Sequence, residues 1–99
     1  MGAELEVSVA QRRAQTLVQL AGEIDLSTMD QLHECLGMVH GDVTVDLGRV
    51  TFMGSMGIST LIGAMRRLAE EGSELHLRNP QAAIRRVFAL LGLSDLIDE

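Results

Sequence analysis

The sequence contains no lysine, tryptophan or tyrosine, and it has one cysteine and one proline. A single cysteine excludes an internal disulfide framework, which favours a reducing compartment. The N-terminal residues lack the basic and apolar regions of a signal peptide. No segment approaches the roughly 18 consecutive apolar residues of a membrane-spanning helix. We therefore expect a cytoplasmic protein whose core is built from Leu, Val, Ile and Met, because only two residues are aromatic.

The charge is predominantly of one sign, with 14 acidic residues against 8 arginines and a formal net charge of -6. Phosphate backbones and anionic lipids repel a small domain of this charge, so nucleic-acid and membrane-surface binding are disfavoured. The 99 residues, of which 46% are hydrophobic, suffice for one packed core and are too few for two. We expect a single domain over residues 1–99.

The spacing of the apolar residues predicts the order ββαβαβα. Alternation favours strands at residues 5–9, 16–20, 43–47 and 75–77. Helical spacing favours helices at residues 28–39, 55–71 and 80–91. Strands joined through helices favour parallel pairing, and the first two strands form an antiparallel hairpin at the edge. The predicted fold is α/β, a mixed four-stranded sheet packed against helices.

The ends of these elements follow from local residue preferences. Ser27 or Thr28 is the expected N-cap of the first helix, in the manner of a capping box. Ser55 is the expected N-cap of the second helix, and Pro80 the first residue of the third, where the missing N–H loses no hydrogen bond. Residues 22–26 are predicted as a loop, residues 48–49 as the end of the third strand, and residues 93–97 as one further helical turn.

No pattern of catalytic or metal-binding residues is present. His33, His40 and His76 lie on three different predicted elements, and a metal site needs ligands that converge at characteristic spacing. Cys35 falls beside core positions of the first helix, which favours a small buried hydrophobe over a reactive thiol. Gly54-Ser55-Met56-Gly57 has neither GxGxxG spacing nor a P-loop lysine. The sequence therefore predicts no cofactor, and it disfavours an enzyme such as a nucleotide hydrolase.

The second helix has a distinctive exposed side. At about 100° per residue, one side is apolar and predicted to face the core: Ile58, Leu61, Ile62, Met65, Leu68 and Ala69. The opposite side carries Met56, Thr60, Gly63 and Arg67, and arginines 66 and 67 are expected to be solvated. A glycine inside an exposed helix costs about 1 kcal/mol relative to alanine. This side is either a docking surface that a partner backbone approaches closely, or a surface on which Met56 is an ordinary exposed residue.

Four segments resemble STAS domains in sequence and order, and are most similar to bacterial anti-sigma factor antagonists. They are Gly22-Glu23-Ile24-Asp25-Leu26, Val45-Asp46-Leu47, Thr51-Phe52-Met53-Gly54-Ser55-Met56-Gly57 and Arg78-Asn79-Pro80. The C-terminal segment from Ile84 to Leu93 is similar as well. The resemblance extends over nearly the whole chain.

The resemblance implies a partner switch. Members of this family bind an anti-sigma factor, itself usually a serine kinase of the histidine-kinase-like ATPase fold, and so free a sigma factor for transcription. The kinase phosphorylates a serine at the start of the second helix. A phosphate there adds about two negative charges to an interface built without them.

This sequence departs from the family at the switch itself. The usual motif is Asp-Ser-Ser-Gly with the second serine as acceptor, and here the stretch is Gly54-Ser55-Met56-Gly57. Met56 occupies the acceptor position and cannot be phosphorylated. Ser55 is either a structural cap or a shifted acceptor. Asp25, which lies near the acceptor in the family, is either part of that site or a turn residue bonded to its own backbone.

The predicted function is therefore that of an anti-sigma factor antagonist that acts by stoichiometric binding and lacks the usual phosphoserine switch. The alternative is a STAS subunit of a transporter ATPase or of a signalling assembly, which would use the same helix. The sequence leaves the oligomeric state open. The expected partner-binding residues are Asp25, Gly54, Ser55, Met56, Gly57, Thr60 and Gly63.

Overall fold

Residues 4–98 are described by a computed structural model, in which three helices cover one mixed β-sheet. The strands are β1 (Leu5–Arg12), β2 (Gln15–Ile24), β3 (Asp42–Met53), β4 (Leu75–Arg78) and β5 (Ile97–Asp98). The helices are α1 (Met29–Met38), α2 (Ser55–Glu70) and α3 (Ala82–Leu90). Single 3₁₀ turns at Leu26–Thr28 and Ser94–Leu96 precede α1 and β5. No helix among residues 4–98 is long and apolar enough to span a membrane.

The strands lie in the order β1-β2-β3-β4-β5. The hairpin β1–β2 is antiparallel, and the other neighbours are parallel. The predicted α/β class, edge hairpin and parallel pairing through helices are confirmed, whereas the count of four strands is wrong. The fifth strand is two residues long and pairs Ile97 with Leu77. A strand this short shows no alternation, so the sequence pattern carried no sign of it.

One face of the sheet is buried beneath all three helices. Alternate residues of β3 are fully buried, and they join one apolar cluster with a residue from each helix: Val43, Val45, Leu47, Leu32, Leu61 and Phe88. The shortest dimension of the molecule is 19 Å, which fits one layer of helices on one sheet. Consequently the surfaces of α1 and α2 that point away from the sheet are left for other contacts.

The predicted ends of the second and third strands are wrong, because each strand continues through a glycine. β2 continues to Ile24 through the predicted loop, and β3 continues through Gly48 to Met53. A Cβ at Gly48 would lie 2.5 Å from the side-chain nitrogen of Asn79, so glycine allows a close approach inside the strand. The Gly48 N–H donates to Asp46 Oδ1 at 2.8 Å.

The helix starts also differ from the prediction. Gly54 is the N-cap of α2, and Ser55 is its first helical residue without a side-chain cap bond. Pro80 lies before α3, whose N-cap is Gln81. The end of α2 is as predicted, with Gly72 following the helix at φ +82°.

The predicted core face of α2 is slightly rotated in the structure. Ala69 is exposed, whereas Ala64 is buried. This rotation turns α2 toward α1, which packs beside it.

Candidate functional site

A groove of about 480 Å³ runs between α1 and α2 on the surface of the helical layer. We call it the α1–α2 groove. Four predicted partner-binding residues lie in it: Ser55, Met56, Thr60 and Gly63. The remaining lining residues, none of them a predicted partner-binding residue, are His33, Leu36, Gly37, Ser59, Ala64 and Arg67.

Two glycines in the α1–α2 groove have no packing role. A Cβ built on Gly37 or on Gly63 meets no heavy atom within 4 Å, and neither residue has a positive φ. Gly63 lies in the interior of α2, where glycine is about 1 kcal/mol less favourable than alanine. The fold would therefore accept alanine at both positions, and the absence of side chains there leaves the groove open to solvent.

Met56 and Thr60 form the end of the groove nearest the start of α2. The Met56 side chain is 54% exposed. The Thr60 hydroxyl donates to the Met56 carbonyl at 2.9 Å and lies 3.4 Å from His33 Nε2 on α1. It also lies 3.3 Å from the Met29 sulfur, so Thr60 connects the first turn of α2 to α1.

Arg67 lies at the other end of the groove. It was predicted to be solvated, but its guanidinium is bonded within the protein. Its Nη2 donates to the Leu36 carbonyl at 2.8 Å and to the Val39 carbonyl at 2.9 Å. Its Nη1 donates to Glu71 Oε2 at 3.1 Å. Because the last carbonyls of a helix have no partner within it, Arg67 caps α1 from the neighbouring helix.

Replacing Arg67 by methionine keeps a long apolar stem and removes these hydrogen bonds. We expect the free energy of unfolding to fall by about 2 kcal/mol, since hydrogen bonds from charged groups contribute more than neutral ones. Urea titration followed by far-UV circular dichroism measures the change. Arg66→Met is the matched control, because Arg66 is exposed and adjacent. Equal losses in the two variants would contradict the capping role.

Asp25 lies at the end of β2 and begins the 3₁₀ turn that leads into α1. Its Oδ1 accepts hydrogen bonds from the Ser27 N–H at 2.8 Å and the Ser27 hydroxyl at 2.7 Å. The Asp25 N–H donates to the buried Thr28 hydroxyl at 3.0 Å, which completes a capping box. Thr28 is the N-cap of α1, one of the two predicted residues, but the side-chain cap bond is made by Asp25 at the start of the 3₁₀ turn. Asp25 thus makes the turn bond that one of its two interpretations predicted, and its part in a partner site stays a prediction.

Gly54 and Gly57 have different roles from each other. The Gly54 N–H donates to the Ile24 carbonyl at 3.0 Å, which brings the start of α2 beside Asp25. A Cβ on Gly54 would make only ordinary contacts, so no close packing requires glycine at this position. Gly57 is buried, and its Cβ would lie 2.6 Å from Ile24 Cγ2. Gly57 therefore allows α2 to pack closely on Ile24, and it does not lie on the surface of the groove.

Two exposed apolar residues that were not predicted lie at the same end of the molecule. Leu26 is 76% exposed and Phe52 is 49% exposed. Leu26 follows β2, and Phe52 is the second-last residue of β3. β2 and β3 are neighbouring parallel strands, so their ends lie at the same end of the sheet. We call Leu26, Phe52 and Met56 the apolar rim. The signal available in the sequence was that Leu26, Phe52 and Met56 all belong to segments that resemble the family.

Cys35 lies on α1 and packs against the core, but it is half-buried and not fully buried as predicted. Burial raises the pKa of its thiol, which keeps it protonated at neutral pH and poorly nucleophilic. Within residues 4–98, no group of three or more His, Cys, Asp or Glu side chains could hold a metal ion.

The chain matches known proteins over nearly its whole length. The family model described as Mlab, STAS domain, matches residues 7–98. The anti-sigma-B factor antagonist of Bacillus subtilis (strain 168) is 31% identical over 97 residues, which covers 95% of this chain and 89% of the relative.

Solved structures agree with this match. An anti-sigma factor antagonist from Mycobacterium paratuberculosis superposes with a TM-score of 0.84 at 26% identity, covering 95% of this chain and 83% of that one. The Bacillus cell fate determinant SpoIIAA in the phosphorylated form superposes with a TM-score of 0.73 at 25% identity, covering 94% and 89%. With its element order, its α1–α2 groove and these matches, the chain belongs to the STAS domain family.

Proposed function

We propose that this chain is an anti-sigma factor antagonist that binds its partner through the α1–α2 groove and the apolar rim. The observation that carries the proposal is the open surface on Gly37 and Gly63, which the fold does not require to be glycine. The relatives named as anti-sigma factor antagonists supply the kind of partner. On this proposal the protein acts in the cytoplasm by binding and not by catalysis, and its partner is a kinase-type anti-sigma factor of the ATPase fold.

The surface has the composition of a protein interface. The apolar rim supplies exposed Leu, Phe and Met, and Phe and Met are enriched at interface centres. None of the described residues that line the groove is acidic, and its one arginine is already bonded to α1. Asp25 and Gly54 adjoin the rim, and Ser55, Met56, Thr60 and Gly63 line the groove.

Regulation by phosphorylation depends on position 56. In our proposal Met56 fills the acceptor position, so a kinase partner has no acceptor there and binding is constitutive. Ser55 remains the rival acceptor. It is exposed and makes no capping bond, so phosphorylating it would break no helix cap. The N-terminus of α2 also tolerates negative charge, and a phosphate at either position would act mainly on the interface.

We expect no mass increase when the protein is incubated with its kinase partner and ATP and examined by intact-mass spectrometry. Met56→Ser should then gain one phosphate, together with ATP-dependent weakening of binding. The exposure of position 56 makes the new hydroxyl accessible. Met56→Ala is the control that removes methionine without adding an acceptor.

Two results would contradict this account. A stoichiometric phosphate on Ser55 of the parent protein would show that the switch has moved by one residue, and Ser55→Ala should abolish it. An unmodified Met56→Ser would indicate that the partner is not a kinase.

The replaced acceptor also favours a second candidate, a STAS subunit of a transporter ATPase or signalling assembly. Such a subunit needs the groove but no phosphorylation switch. A pull-down from the native host with the parent protein and Gly63→Trp as paired baits separates the two. A small ATPase-fold kinase recovered only by the parent supports the antagonist, and a transporter component recovered only by the parent supports the alternative.

A further inference from the structure

The outer edge of β1 is a long unpaired strand edge. β1 has eight residues, pairs with β2 in an unbroken register, and lies at the end of the sheet. Nothing among residues 4–98 pairs with its other side. Edge strands of monomeric proteins are commonly protected by proline, lysine, bulges or short length. β1 has none of these features, and its charged residues, Glu6 and Arg12, lie toward its two ends.

The hydrogen-bonding groups on this edge can be identified. The Glu23 N–H donates to the Glu4 carbonyl, so even-numbered residues of β1 direct their backbone groups toward β2. Odd-numbered residues then direct theirs outward. The outward carbonyl of Leu5 is already bonded to Gln31 Nε2 at 2.6 Å. Within residues 4–98, the outward residues whose N–H and C=O both lack a partner are therefore Val7, Val9 and Gln11, a set that is symmetric about Val9.

We propose that β1 pairs with β1 of a second copy of this chain, antiparallel and with the two-fold axis at Val9. Val9 then forms a hydrogen-bonded pair with its own counterpart, and Val7 pairs with Gln11 of the other copy on either side. This register uses the N–H and C=O of all three residues in each copy and leaves the bond between Leu5 and Gln31 intact.

The charges on β1 complement themselves in this register. Glu6 lies opposite Arg12 of the other copy, and the pair occurs twice because of the symmetry. Neither side chain has an ion-pair partner within residues 4–98. Opposite charges directly across an antiparallel pair are stabilising, and like charges are destabilising. A strand with an acidic first half and a basic end selects its own copy over a strand of uniform charge.

The helix-facing side of β1 offers an apolar surface to the same partner. A groove of about 410 Å³ between β1 and α1 is lined mainly by apolar side chains, including Val9, Met38 and Cys35. Val9 is 53% exposed and Met38 is 75% exposed. A strand added about 4.8 Å beyond β1 would place its own Val7 and Val9 beside Met38. This groove and the α1–α2 groove are lined by different residues of α1, so the proposal does not depend on the proposed function.

Sedimentation equilibrium of the intact chain tests the proposal. We expect a reversible monomer–dimer equilibrium, which E6R and R12E each weaken about tenfold because two opposite-charge pairs become like-charge pairs. The double variant E6R/R12E should restore the parent affinity, since the pairs re-form with exchanged signs. R86E is the matched control, because Arg86 is exposed and lies on α3 in the helical layer.

Hydrogen exchange of the backbone provides a second measurement on the parent protein. The Val9 amide should become more protected as the protein concentration rises. A monomer at every concentration, a dimer that responds to R12E no more than to R86E, or a double variant no tighter than the single ones would each overturn the proposal. So would a dimer abolished by Gly63→Trp, which would place the contact at the α1–α2 groove.

Discussion

Gly22→Ala is expected to lower the free energy of unfolding by about 3 kcal/mol or more, the largest stability effect that we predict for a single methyl group. Gly22 has φ +113°, a conformation that side chains rarely adopt. A Cβ there would lie 2.2 Å from the Glu4 carbonyl oxygen, which is backbone and bonded to the Glu23 N–H. The strain and the clash therefore act together, and relief requires β1 to move away from β2.

Gly72→Ala is the matched control for this prediction. Gly72 also has a positive φ, of +82°, but a Cβ there meets nothing within 4 Å. The free energy of unfolding of Gly72→Ala should therefore fall by only about 1 kcal/mol, the cost of placing a side chain in this backbone conformation. Urea titrations of both variants, followed by far-UV circular dichroism, measure the difference. Equal losses of stability in the two variants would contradict the prediction, because they would mean that β1 and β2 relieve the contact with the Glu4 carbonyl oxygen without a loss of free energy.

Gly63→Trp is expected to weaken partner binding about thirtyfold or more, equivalent to ~2 kcal/mol. The tryptophan ring would occupy the α1–α2 groove, and it would hold a partner backbone away from α2. The fold should remain intact, because the position opens onto solvent. Isothermal titration calorimetry with the recovered anti-sigma factor measures the affinity, and circular dichroism checks the fold.

Gly63→Ala separates two effects of the tryptophan variant: the obstruction of the groove by a large side chain, and the replacement of glycine within the helix. Alanine meets no atom within 4 Å, so this variant should be more stable than the parent by about 1 kcal/mol. Its binding should fall between that of the parent and that of the tryptophan variant. Tight binding by Gly63→Trp would show that the partner docks elsewhere.

The parts of the fold with regular periodicity could be predicted from the sequence. The three helices, the hairpin and the parallel strands follow from spacings of 3.6 and 2 residues. The wrong predictions concern elements that depend on a contact between residues far apart in the chain. Gly48 lies inside β3 because Asn79 packs over it, and β5 forms because the chain after α3 returns to β4. Neither contact leaves a local pattern.

The candidate site was predictable on α2 and not on α1. The 100° spacing placed Met56, Thr60 and Gly63 on one side of α2, and all three line the groove. Gly37 was missed because no spacing within α1 indicates which helix packs beside it. The role of Arg67 is not visible in the sequence, because the carbonyls that it binds lie 28 and 31 residues earlier in the chain.

The cap that Arg67 places on α1 has a consequence for how quickly a partner is bound. Separating α1 from α2 would leave the carbonyls of Leu36 and Val39 without their guanidinium donor, so we expect the two helices to stay together when a partner binds. Little conformational entropy remains to be lost when the groove is occupied. Association should then proceed as docking between preformed surfaces, at a rate set by collision and orientation and not by a preceding rearrangement.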